Sequence, residues 1–226
     1  MRSSMVMSAA ALRMAEQSAM HLERAIHSQK AGFDRNVVYS QSGVTINFRA
    51  GFGDTFSEDK IAAMRSAIAK VDGLGLRLPN TIKVYTSSDQ GFVNVAFQRA
   101  RGGHREASIG LGGKLAQPSS LPVGKATLHG TGPVRRYITA VCVHELGHIL
   151  HELASEEFFW STAANAVTPG SLGTQAGSMY AAANIREFVA EVFAGLVYGE
   201  SFSREVMEAY RNYHGPVVPG GFGTTP

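Results

Sequence analysis

The chain has 226 residues, of which 44% are hydrophobic and 17% are charged, and its formal net charge is +3 with the histidines neutral. A chain of this length can bury the core of one sizeable domain, and its balance of apolar and charged residues argues against a disordered protein. The single cysteine, Cys142, excludes an internal disulfide framework and a cysteine-rich zinc site. The longest apolar stretches are too short for a transmembrane segment, so none is expected.

The N-terminal residues 1–36 are predicted to form an amphipathic helix or arm. Leu12, Leu22 and Ile26 belong to a set of apolar residues that recur at helical spacing. The apolar stretch near the start is too short for a signal peptide and is soon interrupted by Arg13. The Pro/Gly-rich residues 215–226 are expected to form a flexible tail, which leaves one domain between these two ends.

The middle of the chain predicts a small sheet. Val44, Ile46 and Phe48 alternate with polar residues, as in a half-buried strand, and residues 55–73 carry an apolar stripe at helical spacing. Short strands are expected in the segments TIKVYTSS, GFVNVAFQRA and REASIGLGG. The last segment could pair with an extended substrate, or it could be an ordinary core strand.

A loop rich in proline and glycine over residues 114–133 leads into a helical half of the chain. The segments YITAVCVHELGHILHELASEEFFW and NIREFVAEVFAGLVYG each predict a buried helix, and SREVMEAYRNYH predicts a short final one. The predicted fold class is therefore α+β. A small mixed or antiparallel sheet should pack on the first of these helices, followed by the helical C-terminal half.

Two groups of arginines raise the question of nucleic-acid binding. They lie in QRARGGHR, residues 98–105, and at Arg135 and Arg136. Neither group is accompanied by a stacked aromatic platform or a recognised binding module. A solvated hairpin end is the preferred interpretation, and no nucleic-acid partner is expected.

The motif HELGH places His144 and His148 four residues apart on a predicted helix. Side chains at positions i and i+4 converge, so both imidazoles can bind one Zn²⁺, and Glu145 at the edge of that face can reach a metal-bound water. Gly147, which has no side chain, permits close approach by another element. The alternative interpretation is an ordinary helix with two surface histidines.

A catalytic zinc site needs a third protein ligand. A histidine six residues after His148 would complete a metzincin pattern, but that position is Ala154. His151 lies one further turn from His148 and is interpreted as a neighbour of the site. No aspartate occurs after Asp89, which leaves a glutamate from a second helix.

Glu187 and Glu191 stand four residues apart in an otherwise apolar helical segment. Two carboxylates buried there without partners would cost several kcal/mol. Glu187 as a zinc ligand, with Glu191 hydrogen-bonded to the far nitrogen of a ligating histidine, would give both carboxylates a partner. The alternative is a pair of surface glutamates on a half-exposed helix.

The segment SMYAAANIREFVAEVFAGL resembles the second active-site segment of anthrax lethal factor and its gluzincin relatives, which are zinc metalloproteases. In that family a tyrosine stands seven residues before the glutamate ligand, followed by an asparagine and an EFxAExF core. Tyr180 and Asn184 match the first two positions, and the resemblance covers about residues 137–200. It implies one zinc ion per chain bound by His144, His148 and Glu187, with Glu145 as general base and Tyr180 as the phenol that assists the transition state.

Residues 37–214, between the arm and the tail, are expected to form the zinc metalloprotease domain. The resemblance further implies a zinc-dependent endopeptidase that hydrolyses peptide bonds with metal-activated water. The implied partner is a protein or peptide substrate, such as a host protein. The implied protein is a secreted bacterial effector or toxin, translocated into a host cell, or else a bacterial cytoplasmic protein. The alternative function is a non-catalytic zinc-binding or protein-interaction module on the same fold. Glu145 and Tyr180 argue against that alternative, because a metal-binding scaffold needs neither.

Overall fold

The computed structural model describes residues 35–50, 58–87, 94–99, 105–112, 134–176 and 181–219. Several predictions fall outside the described residues, namely those for the arm over residues 1–34, the loop over 114–133, Tyr180 and the last seven residues of the tail. What is described is an α+β fold with a mixed sheet and a helical C-terminal half, as predicted.

The sheet has five strands among the described residues, in the order β1-β2-β3-β5-β4. The β1–β2 and β4–β5 pairs are antiparallel, whereas β2–β3 and β3–β5 are parallel. The strands are β1 (Arg35–Gln41), β2 (Val44–Ala50), β3 (Thr81–Ser87), β4 (Asn94–Arg99) and β5 (Arg105–Gly112).

The first two strands form a hairpin where the sequence predicted only one strand. Ser42 and Gly43 make the turn, with φ values of 53° and 74°. Positive φ at both central residues is the signature of a type I′ turn, whose twist matches that of the flanking strands. Ser-Gly is a recognised turn dipeptide but a weaker signal for this turn than the usual Asn-Gly or Asp-Gly, and only the strand after it was predicted.

Strand β5 is an internal strand of the sheet. Residues 106–112 pair with β3, and residues 105–110 pair with β4. Its backbone is therefore engaged on both sides. The suggestion that REASIGLGG pairs with an extended substrate is wrong, and the core-strand interpretation is confirmed.

The helix with the HELGH motif is central to the fold. Every residue from Ile138 to Glu152 is buried, so this helix has no solvent-facing side over four turns. It packs between the first helix and the glutamate-bearing helix. The helices are α1 (Glu58–Gly73), α2 (Val134–Ala154), α3 (Glu156–Phe159), α4 (Gly170–Gln175), α5 (Ile185–Val197) and α6 (Arg204–Asn212), with a 3₁₀ turn at Ala163–Asn165.

One hydrophobic core joins the sheet to the helices. Alternate strand residues face it, as the period of two requires, and the apolar stripe of α1 meets them. The fully buried residues at this contact include Ile46, Phe48, Ile82, Val84, Ile109, Met64 and Ile68.

The chain after α6 begins as packed structure. The Tyr210 hydroxyl donates a hydrogen bond of 2.7 Å to the carbonyl of Pro216, and Val218 is 1% exposed. A tyrosine hydroxyl usually finds such a partner when it is buried. This hydrogen bond ties the segment after α6 back to that helix.

None of the helices in the described ranges is both long and apolar enough to cross a membrane.

Candidate metal centre

Helix α2 gathers His144, Glu145 and His148 at one buried position. The three residues are 6%, 5% and 7% exposed, and one ligand atom from each lies within 4.8 Å of the others. The imidazole rings are 4.9 Å apart and nearly perpendicular. This buried group could hold a metal ion. The interpretation of HELGH as two surface histidines is therefore wrong.

Helix α5 approaches α2 at Gly147. A Cβ atom on Gly147 would lie 2.8 Å from Cδ1 of Phe193 and 3.3 Å from the Cα of Ala190. The first distance is shorter than any ordinary carbon contact, so only glycine allows the two helices to come this close. The predicted role of Gly147 is confirmed.

The start of α5 is held by Asn184. Its side-chain oxygen accepts a hydrogen bond of 3.0 Å from the backbone N–H of Glu187. This is an N-cap, which satisfies one of the free N–H groups in the first turn of the helix. The cap orients the first turn of α5, from which the Glu187 side chain extends toward α2.

The carboxylate of Glu187 meets both histidines. Its Oε2 atom lies 3.1 Å from Nε2 of His144 and 3.3 Å from Nε2 of His148. In a tetrahedral zinc site with ligand bonds of about 2.0–2.1 Å, neighbouring donor atoms are separated by about 3.3 Å. The two N–O distances are thus close to the separation of neighbouring donor atoms around a small divalent metal ion.

Glu191 lies behind His144. Its Oε1 atom is 2.9 Å from Nδ1 of His144, an ion-pair distance, and Glu191 is 4% exposed. A proton on Nδ1 facing this carboxylate would leave Nε2 with a lone pair directed at Glu187. A lone pair and a carboxylate oxygen repel at 3.1 Å, so the contact requires either a proton between the two atoms, carried by His144 or Glu187, or a shared cation. The alternative of two surface glutamates does not apply to this buried residue.

Charges from the two helices shift the pKa values of this group. Burial by itself lowers the pKa of His144, but hydrogen bonds and charges from Glu187 and Glu191 outweigh it and raise the pKa well above its usual value. Burial acts in the opposite sense on Glu187, whose pKa nevertheless falls below its usual range because of the charges and hydrogen bonds of His148 and His144. In the absence of a cation, a shared proton would therefore hold the cluster together.

The pKa of Glu145 shifts in the opposite direction to that of Glu187. Burial raises the pKa of Glu145, and the nearby charges of His148 and His144 only partly offset that effect. A carboxylate with a raised pKa accepts a proton more readily, which is the property required of a general base.

Nε2 of His151 and Nδ1 of His148 lie close to this group, but neither contacts Glu187 among the described residues. His151 directs Nε2 at the backbone carbonyl of Tyr213, to which it donates a hydrogen bond of 2.7 Å. This hydrogen bond occupies Nε2 of His151, which is not in the group that could hold a metal ion, in agreement with its interpretation as a neighbour. Nδ1 of His148 is buried and makes no hydrogen bond within the part of the chain that is described.

The sequence did not single out an aromatic and cationic group beside this centre. Phe159, Trp160 and Arg186 come together there, although 26 positions separate Trp160 from Arg186. The FFW sequence after the HELGH helix and the arginine directly before Glu187 were visible, but nothing in the sequence linked them.

No family model matches this chain, and neither a curated protein nor a solved structure matches it. The resemblance to the lethal factor gluzincins consequently stays a prediction. It depends on the HELGH motif and on the segment around Glu187.

Proposed function

We propose that this protein is a zinc-dependent endopeptidase. The observation that carries the proposal is the contact of one carboxylate oxygen of Glu187 with Nε2 of both His144 and His148, at 3.1 and 3.3 Å. Two imidazoles and one carboxylate are the ligand set of a catalytic zinc site that keeps a position open. Glu145, buried in the same group, supplies the base that hydrolysis requires.

His144, His148 and Glu187 would hold the zinc ion. Bound there, it would supply Lewis acidity toward the scissile carbonyl and toward the attacking water. Glu191 would accept a hydrogen bond from Nδ1–H of His144. This bond would fix the orientation of the ring and make the lone pair of Nε2 a stronger ligand for the metal. The buried carboxylate of Glu191 thereby acquires a function that its position in an apolar helix otherwise lacks.

Glu145 would take a proton from water as it attacks the peptide carbonyl and later deliver that proton to the leaving amine. Its burial supports this role, because desolvation raises the pKa of its carboxylate. Tyr180 lies outside the described residues. By resemblance to the lethal factor family, its phenol would donate a hydrogen bond to the developing oxyanion.

The substrate would be a protein or peptide, and by the same resemblance the enzyme would be a secreted effector or toxin that acts on a host protein. The non-catalytic alternative accounts for the three ligands but not for Glu145. A third carboxylate beside two histidines and Glu187 adds desolvation cost without adding a necessary ligand.

Zinc content and peptide cleavage test the proposal together. Purified protein is expected to bind about one zinc ion per chain. The Glu145→Gln variant should keep the metal and lose cleavage of a peptide library, since the amide cannot accept the proton. Glu157→Gln is the matched control, because it makes the same substitution at an exposed position on α3.

Two results would overturn the proposal. Protein that takes up no zinc after metal loading would leave the histidine and glutamate cluster as a proton-linked ion pair network. Cleavage by Glu145→Gln at the rate of Glu157→Gln would remove Glu145 from the mechanism, even if zinc were present.

A further inference from the structure

Arg186 precedes Glu187 in the first turn of α5 and lies between two aromatic rings. Its guanidinium carbon is 4.9 Å from the centre of the Phe159 ring and 5.5 Å from that of Trp160. One of its terminal nitrogens donates a hydrogen bond to the side-chain oxygen of Asn165. The rings and the amide hold the guanidinium plane in one place.

Among the described residues, no carboxylate forms a direct ion pair with the Arg186 guanidinium, although the charges of Glu187 and Glu152 act favourably on it. Glu187 contacts the two histidines, and Oε1 of Glu152 accepts a hydrogen bond of 3.1 Å from Nε1 of Trp160. Within the same described residues, Nε of Arg186 is buried without an acceptor. A partly buried guanidinium that uses one of its five N–H groups retains unused donor capacity, which an anion would satisfy.

The Arg186 guanidinium lies next to the proposed zinc site. The Phe159 ring centre is 6.4 Å from that of His148, and the Arg186 guanidinium lies 4.9 Å from the same ring centre. A proposed zinc ligand and the cation therefore both contact one aromatic ring. Trp160 is 47% exposed, so its indole forms a wall that a ligand can reach from solvent.

We propose that Arg186 and Trp160 form a substrate subsite that binds a carboxylate of the peptide. The carboxylate belongs to an aspartate or glutamate close to the scissile bond, or to the C-terminus of the peptide. The planar guanidinium suits a carboxylate because two parallel hydrogen bonds can form, and the indole covers the adjoining apolar part of the peptide. This subsite rests on the proposed function, since it assigns a specificity to the same site.

A fluorescence titration tests the subsite without requiring catalysis. Trp160 is the single tryptophan of the chain, so its emission reports directly on this position. Zinc-loaded Glu145→Gln protein is titrated with short alanine peptides that are acetylated and amidated and that carry one aspartate at successive positions. Matched peptides with asparagine at the same positions remove the charge alone, and asparagine peptides with a free C-terminus restore a carboxylate only at the end.

An aspartate peptide, or a free C-terminus, is expected to bind at least about tenfold more tightly than its neutral counterpart, as is usual for a charge-assisted hydrogen bond. Arg186→Gln should abolish this discrimination, and Arg186→Lys should retain part of it because the charge remains without the planar fork. Arg204→Gln, which removes an exposed arginine from α6, should leave it unchanged. The peptide that binds more tightly, with aspartate at one position or with a free C-terminus, shows which carboxylate occupies the subsite.

The proposal is overturned if charged and neutral peptides give the same response up to millimolar concentration, or if Arg186→Gln discriminates like the parent protein. Unchanged zinc content and circular dichroism of Arg186→Gln would show that the fold survives the substitution. Because the titration measures binding alone, charge discrimination by Arg186 would stand even if the protein hydrolysed no peptide. Conversely, cleavage with no charge preference would remove the subsite and keep the hydrolase.

Discussion

The substitution Glu191→Gln isolates the contribution of the carboxylate behind His144. Glutamine keeps the size of the side chain and an oxygen that can accept the Nδ1–H of His144, but it removes the negative charge. Glu191 is 4% exposed, so solvent does little to screen that charge, and its oxygen lies 2.9 Å from the ring nitrogen. The charge should therefore act strongly on how well His144 binds a cation.

Loss of a partner that orients a metal-binding histidine typically weakens metal affinity by about 10- to 100-fold. At about 1.4 kcal/mol per factor of ten, this corresponds to about 1.4–2.8 kcal/mol of binding free energy. With zinc in excess, the free energy of unfolding of the zinc-loaded variant should fall by the same amount, because bound zinc stabilises the folded state in proportion to its binding free energy. For a domain of this size, 1 kcal/mol shifts the melting temperature by about 2–4 °C, so the zinc-loaded variant should melt about 3–11 °C lower.

Zinc affinity is measured by competition with a chelator of known affinity, and the melting temperature is recorded with and without zinc. Glu208→Gln is the matched control, because it removes the same charge from an exposed carboxylate that is paired with Arg204. Its zinc affinity should equal that of the parent. If Glu191→Gln also binds zinc as tightly as the parent, the carboxylate does not support a ligand and the proposed geometry is wrong.

Two further predictions concern the helix pair and the histidine next to it. Gly147→Ala should lower the free energy of unfolding by about 1–3 kcal/mol and weaken zinc binding, because the added Cβ would push α5 and Glu187 away from α2. Gly73→Ala is the control for denaturant unfolding, because the added carbon would meet no other part of the fold within 4 Å. Equal stability of the two variants would contradict the close approach of α5 to α2 at Gly147. Burial lowers the pKa of His151 to about 3 from its usual 6.5, so the unfolded chain binds more protons and stability should fall as the pH drops from about 6.5 toward 3. Between about pH 6.5 and 4.5 the loss from this residue should be about 2–3 kcal/mol, and urea unfolding of His151→Gln should show a pH dependence flatter by that amount; an unchanged slope would show that His151 is not buried as a neutral ring.

Several elements of the fold could be predicted because their signals are local. The apolar periods of α1, α2 and α5 appear within single turns, and the alternation at Val44, Ile46 and Phe48 appears within one strand. The hairpin partner β1 was missed, since its pairing depends on a turn at Ser42–Gly43 whose positive φ values carry only a weak sequence signature. The position of β5 inside the sheet was equally inaccessible, because strand order is a long-range property.

The candidate site divides in the same way. The spacing of His144 and His148 on one helix determined that both rings face one point, because four residues complete about one turn. That Glu187 reaches the same point depends on how closely α5 packs at Gly147. The contacts of Arg186 with the two aromatic rings depend on that packing as well.

By itself, then, the amino-acid order determined which side chains share a helix face and which segments are apolar enough to be buried. The tertiary structure decided which of those faces meet, at what distance, and which charges find a partner. Local periodicity is set by backbone geometry, so it is the same in every helix and in every strand. Contacts between distant segments depend instead on the packing of the whole core, where one missing side chain, as at Gly147, sets the distance between two helices.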